Sequence, residues 1–117
     1  MSIAAGEILD LWFAEQTRPL WFSSTIEFDK ELERRFLSSY RAAAASELDD
    51  WSATARGSLA LVIMLDQFPL NMFRDSPESF SSESKAREIA KIAIDRQQDA
   101  LLSSEQKAFL YLPFMHS

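Results

Sequence analysis

The chain has no cysteine, one histidine and two glycines among its 117 residues. Without cysteine there can be no disulfide, thiol catalysis, iron–sulfur cluster or thiolate zinc site. The single histidine, His116, cannot build a histidine-rich zinc site, so neither a metal nor a cofactor is expected. Gly6 and Gly57 are too few for the turns of a sandwich or barrel, and too far apart for a phosphate-cradling loop. Basic residues are also scarce, 12 against 18 acids, for a net charge of −6. Phosphate backbones and anionic membranes repel such a chain, so nucleic acid and membrane are not expected partners. The longest uncharged run, 108–117, is well short of the roughly 20 residues a spanning helix needs. No basic n-region precedes an apolar stretch at the start, and a cytoplasmic protein is expected.

What remains is 47% hydrophobic and 12% aromatic, ample for a core. A chain of this length hides roughly 65% of its unfolded surface. The expected fold is all-α, an antiparallel bundle of about five helices forming one domain over 1–117. The first helix spans about 3–15 and ends near Arg18-Pro19, since the residue before proline is pushed out of the α region. Ser24 and Glu27 read as a capping box for the second. There Phe28, Leu32, Phe36 and Tyr40 recur every four residues as one apolar stripe, while Asp29, Glu31 and Arg35 fall on a solvated face. A short turn carries Trp51. The third helix, 57–68, holds seven apolar residues in succession from Leu59 to Leu65. Periodicity alone does not separate a buried strand from a buried helix. Strong helix formers and the lack of any pairing strand favour a central helix ending at Phe68-Pro69. A loop, 70–75, follows. Ser76-Pro77 caps a fourth helix, 77–98, with Phe80, Ala86, Ile89, Ala90 and Ala93 on its inner face. Ser103 and Gln106 form a second capping box, and Pro113 stops the fifth helix.

The final residues, Tyr111-Leu112-Pro113-Phe114-Met115-His116-Ser117, stay apolar almost to the end, whereas domain termini are usually polar and frayed. The expectation is that more chain follows Ser117; the alternative is a tail folded back onto the bundle. Trp12-Phe13, Trp21-Phe22 and Trp51 are read as core packing rather than a stacking platform.

Asp66 follows the apolar run directly, at the edge of the core, where a carboxylate must find a donor or raise its pKa. Gln67, Asn71 and Arg74 come within eight positions, and Arg74 can pair with Asp66 or hold an anion. Asp66 is either a satisfied carboxylate closing the helix or part of a functional cluster. His116 is either structural or an acid–base partner of Asp66.

The strings Leu9-Asp10-Leu11-Trp12-Phe13, Trp21-Phe22, Phe28-Asp29, Leu65-Asp66-Gln67-Phe68-Pro69-x-Asn71-x-x-Arg74 and Pro113-Phe114-x-His116-Ser117 resemble the bacterial family numbered nine hundred twenty-four among domains of unknown function. The resemblance implies a TPR-like helical fold and no known activity. Two departures stand out: Leu70 replaces an arginine usual in the family, and Asp75 replaces a glycine. The first removes a cation from the site; the second puts the loop's backbone shape in question. Family members also continue beyond the His-Ser pair, so the chain is expected to lack their C-terminal helices.

The leading expectation is a domain that binds a small polar molecule or a protein segment through Asp66, Gln67, Asn71, Arg74 and His116. One alternative is a hydrolase-like enzyme using an Asp66/His116 acid–base pair. Another is a homodimer formed through the apolar C-terminal segment.

Overall fold

The computed structural model describes residues 4–115. It is all-helical, with no strand among those residues. Its α-helices are α1 (Ala5–Trp12), α2 (Ile26–Ala44), α3 (Ala55–Val62), α4 (Phe68–Met72), α5 (Glu83–Asp95) and α6 (Ser104–Met115). Because α3 and α4 are joined without a break by a wide π turn at Ile63–Gln67, they form one rod, and the bundle has five helical bodies.

That rod is the axis of the fold. Every residue from Gly57 to Pro69 is buried, as the unbroken apolar run requires of a helix with no polar face. Around it, α1, α5 and α6 pack on α3, and α2 packs on α4. The stripe on α2 buries Leu32, Phe36 and Tyr40, with Phe28 half-buried. On α5 the inner face is Ala86, Ile89, Ala90 and Ala93. Trp12 is fully buried, its ring 5.7 Å from both Phe68 and Phe109. The reading of the aromatics as core holds for Trp12; Trp21 and Trp51 are half-buried, and Phe22 is exposed.

Several boundaries differ from expectation, each for a local reason. The first helix stops at Trp12, and Pro19 sits within a separate 3-10 turn, Arg18–Leu20, instead of terminating it. The central helix does not end at Phe68-Pro69, and 70–72 is helix rather than loop. In the π turn the Phe68 N–H donates to the Ile63 carbonyl, five residues back. Pro69 has no N–H to give, and the carbonyl four residues before it, Leu65 O, accepts Ser82 Oγ at 2.6 Å. The segment expected as one helix over 77–98 is split into a 3-10 turn, Pro77–Phe80, and α5, which leaves Phe80 exposed rather than inside. The Ser103/Gln106 box is present in both directions: Ser103 N–H donates to Gln106 Oε1 at 2.9 Å, and Gln106 N–H donates to Ser103 Oγ at 3.2 Å. Pro113 lies inside α6 and does not stop it.

Candidate functional site

Five segments converge at the C-terminal end of the rod. The π turn carries Asp66 and Gln67, α4 carries Leu70 and Asn71, and the turn after it carries Arg74. From α2 comes Asp29, and Ser24 stands just before that helix. The chain after α1 brings Trp21 and Phe22. Trp21, Phe22, Ser24, Gln67, Leu70, Asn71 and Arg74 line a cleft of about 240 Å³.

Asp29 organises the cluster. Its Oδ2 accepts from Arg74 Nε at 2.8 Å, and its Oδ1 from Arg74 Nη2 at 3.1 Å, the two-pronged fit of guanidinium to carboxylate. Oδ1 also accepts from Asn71 Nδ2 at 2.9 Å and Ser24 Oγ at 2.8 Å. Burial pulls the Asp29 carboxyl upward, but the hydrogen bonds from Arg74, Asn71 and Ser24 outweigh it and hold its pKa below the ordinary value. The Asp29 carboxylate in turn raises the Arg74 pKa. The Asp29 side chain is 14% exposed and that of Arg74 50%. The guanidinium is thus fixed on one edge and open on the other.

Of the two alternatives for Arg74, pairing with Asp66 is corrected: Arg74 is clamped by Asp29, a residue expected on a solvated face. Asp29 lies three positions before buried Leu32 and seven before buried Phe36, which puts it on their side of the helix. That spacing was the available signal. The expected Ser24 cap is corrected as well. Thr25 caps α2, its Oγ1 accepting the Phe28 N–H at 3.1 Å, because Ser24 Oγ is directed to Asp29 instead.

Asp66 is not at the rim but 2% exposed, and its Oδ2 accepts from Gln67 Nε2 at 2.8 Å. A carboxylate takes only donors, so this bond fixes which end of the Gln67 amide is nitrogen. The Gln67 Oε1 is left with no hydrogen bond among the described residues. Asp29 sets the Asn71 amide in the same way, leaving Asn71 Oδ1 open. Arg74 Nη1 likewise has no partner among the described residues. His116 lies outside the described residues, and with it the proposed Asp66/His116 pair.

A match to the family described as "Bacterial protein of unknown function (DUF924)" extends over residues 8–117. The chain belongs to the DUF924 family. A solved structure of a protein of unknown function from Agrobacterium tumefaciens is similar to it, with 39% identity and a TM-score of 0.91. That match covers 97% of this chain and 64% of the other, so the chain spans about two-thirds of its relative's length. No curated protein matches. The two departures from the DUF924 pattern can now be placed. Leu70 puts an apolar side chain into the cleft wall, leaving Arg74 as the cation among the described lining residues. Asp75 keeps the left-handed backbone a glycine would favour, with φ of 65°, a conformation aspartate tolerates better than most residues. Among the described residues, no helix is long and apolar enough to cross a membrane.

Proposed function

We propose that this DUF924 chain is a helical binding domain for a small polar ligand, held in the cleft at the end of the central rod. One observation carries the reading. Gln67 Oε1, Asn71 Oδ1 and Arg74 Nη1 belong to residues lining a single cleft, and none has a partner among the described residues. Gln67 is 3% exposed and Asn71 6%. Side chains buried to that degree are ordinarily satisfied within the fold. Convergent polar groups set in an apolar wall, here Trp21, Phe22 and Leu70, are the usual composition of a ligand pocket. We place this binding in the cytoplasm, in keeping with the cysteine-free, acidic composition.

Acetamide is a small probe offering both a carbonyl and N–H donors. So few atoms bind with a dissociation constant on the order of millimolar. In an NMR titration we expect its shifts to concentrate on the Gln67 and Asn71 side-chain amides and the Trp21 indole. Arg74→Gln is expected to weaken binding about tenfold or more, the effect of losing one hydrogen bond from a charged donor. Shifts scattered evenly over the surface, or the same affinity in the variant, would remove the proposal.

A further inference from the structure

The wall that closes the polar cleft on one side also closes a second cavity. Trp21 and Phe22 line both the cleft and a trough of about 310 Å³ running along α6 past Ala108, Phe109, Leu112 and Met115. Three side chains with polar groups lie along this trough, and all are bound elsewhere, Trp21 donating its indole N–H to the Trp12 carbonyl at 2.8 Å. Tyr111 donates its hydroxyl to Asp99 Oδ2 at 2.7 Å, and Glu105 is paired with Arg18. Rings and aliphatic groups remain, and Phe22 and Met115 are each 76% exposed beside them. Such a trough is a surface that an apolar group of a ligand can cover.

The chemistry at the cleft selects the head of what lies across both cavities. Arg74 is already neutralised by the Asp29 carboxylate, and the chain as a whole is acidic. The other open atoms, Gln67 Oε1 and Asn71 Oδ1, are acceptors. A carboxylate or phosphate would meet one donor and two repelling oxygens. An amide meets complementary partners throughout, its carbonyl on Arg74 Nη1 and its N–H on either side-chain carbonyl.

We propose that cleft and trough form one site for an amide-headed amphiphile, the head on Gln67, Asn71 and Arg74 and the apolar tail passing Trp21–Phe22 into the trough. This inference rests on the cleft being a ligand site, and its test keeps the two apart. The probes are acetamide, hexanamide, octanamide and octanoate, followed by NMR at the Gln67 and Asn71 side-chain amides and the Trp21 indole. Affinity is expected to rise about fourfold per added methylene, until the trough is filled. Octanamide should bind more tightly than octanoate, and the longer amides should also shift Ala108 and Leu112. Ala108 is exposed, so Ala108→Trp fills the trough without entering the core. It should reduce octanamide to the affinity of acetamide and leave acetamide itself unchanged. If acetamide binds and octanamide binds no more tightly, the composite site is wrong and the small polar site stands. Octanoate binding as well as octanamide would overturn the amide head, and therefore the inference. If neither acetamide nor octanamide moves the cleft signals, both the inference and the proposed function fall.

Discussion

The two ends of the central rod are built from similar residues and finished differently. At the N-terminal end, Thr54 Oγ1 accepts the Gly57 N–H at 3.0 Å, and Ser58 Oγ donates to Gln98 Oε1 at 2.6 Å. Gln98 Nε2 then donates to the Ser52 carbonyl at 3.0 Å. Both functional groups of that amide are used within the fold. At the C-terminal end, Gln67 and Asn71 are just as buried and line a cleft, yet each uses its nitrogen and leaves its oxygen without a partner among the described residues. The buried amide at one end is therefore satisfied within the fold, and the two at the other are satisfied only at their nitrogens among the described residues. Burial alone does not separate the two roles; an account of donors and acceptors does.

The closed end should be the more fragile. A Cβ on Gly57 would lie 1.8 Å from the Trp51 carbonyl oxygen and 2.7 Å from its carbon. Those are backbone atoms, so the 3-10 turn at Asp49–Ala53 has to move as a unit. Gly57→Ala is expected to cost about 3 kcal/mol or more in urea unfolding, at the upper end of overpacking effects. A loss under about 1 kcal/mol would mean that the turn yields easily and the N-terminal end is not closed as described. The next largest effect tests how the rod passes Pro69. Ser82→Ala removes the hydroxyl donated to Leu65 O and leaves a buried carbonyl and the Tyr40 hydroxyl, 3.0 Å away, short of a partner. It should cost about 2 kcal/mol, with acetamide binding weakened as well, because Leu65 belongs to the turn that sets Asp66 and Gln67. Stability lost with no change in binding would separate that hydroxyl from the geometry of the site.

How much of this was legible depends on how local the deciding interaction is. The buried rod could be read from Leu59–Leu65, because seven apolar residues in succession leave a helix no wet face. The box at Ser103 and Gln106 could be read because both of its bonds close within four residues. Ser24 and Glu27 carry the same signature and fail. Thr25 offers an equivalent hydroxyl one position later, and Ser24 is drawn to Asp29 together with Asn71, which lies 47 residues away in the chain. Pro69 looked like a stop because the partner that lets the helix continue, Ser82, is on another element. The site followed the same rule. Gln67, Asn71 and Arg74, which line one cleft, form a local run in the sequence, whereas Asp29, which clamps Arg74 from 45 residues away, reads there as part of the solvated face.

The smallest expected effect concerns that clamp, and it carries a pH signature. Asp29→Asn removes the charge that holds Arg74 and should cost about 1 kcal/mol at neutral pH, modest because the Arg74 side chain is half exposed and its ion pair is screened. The folded state lowers the Asp29 pKa, so the unfolded chain takes up a proton at higher pH than the native one. Its contribution is then full above about pH 4 and is lost as pH falls through the depressed value. The stability difference between the parent chain and Asp29→Asn should therefore hold steady from neutral pH down to that region and shrink below it. Urea unfolding at a series of pH values checks this directly. A difference that persisted unchanged into strong acid would mean that the carboxylate charge is not what holds Arg74. The open guanidinium edge, which separates the C-terminal end of the rod from the closed end, would then need another support.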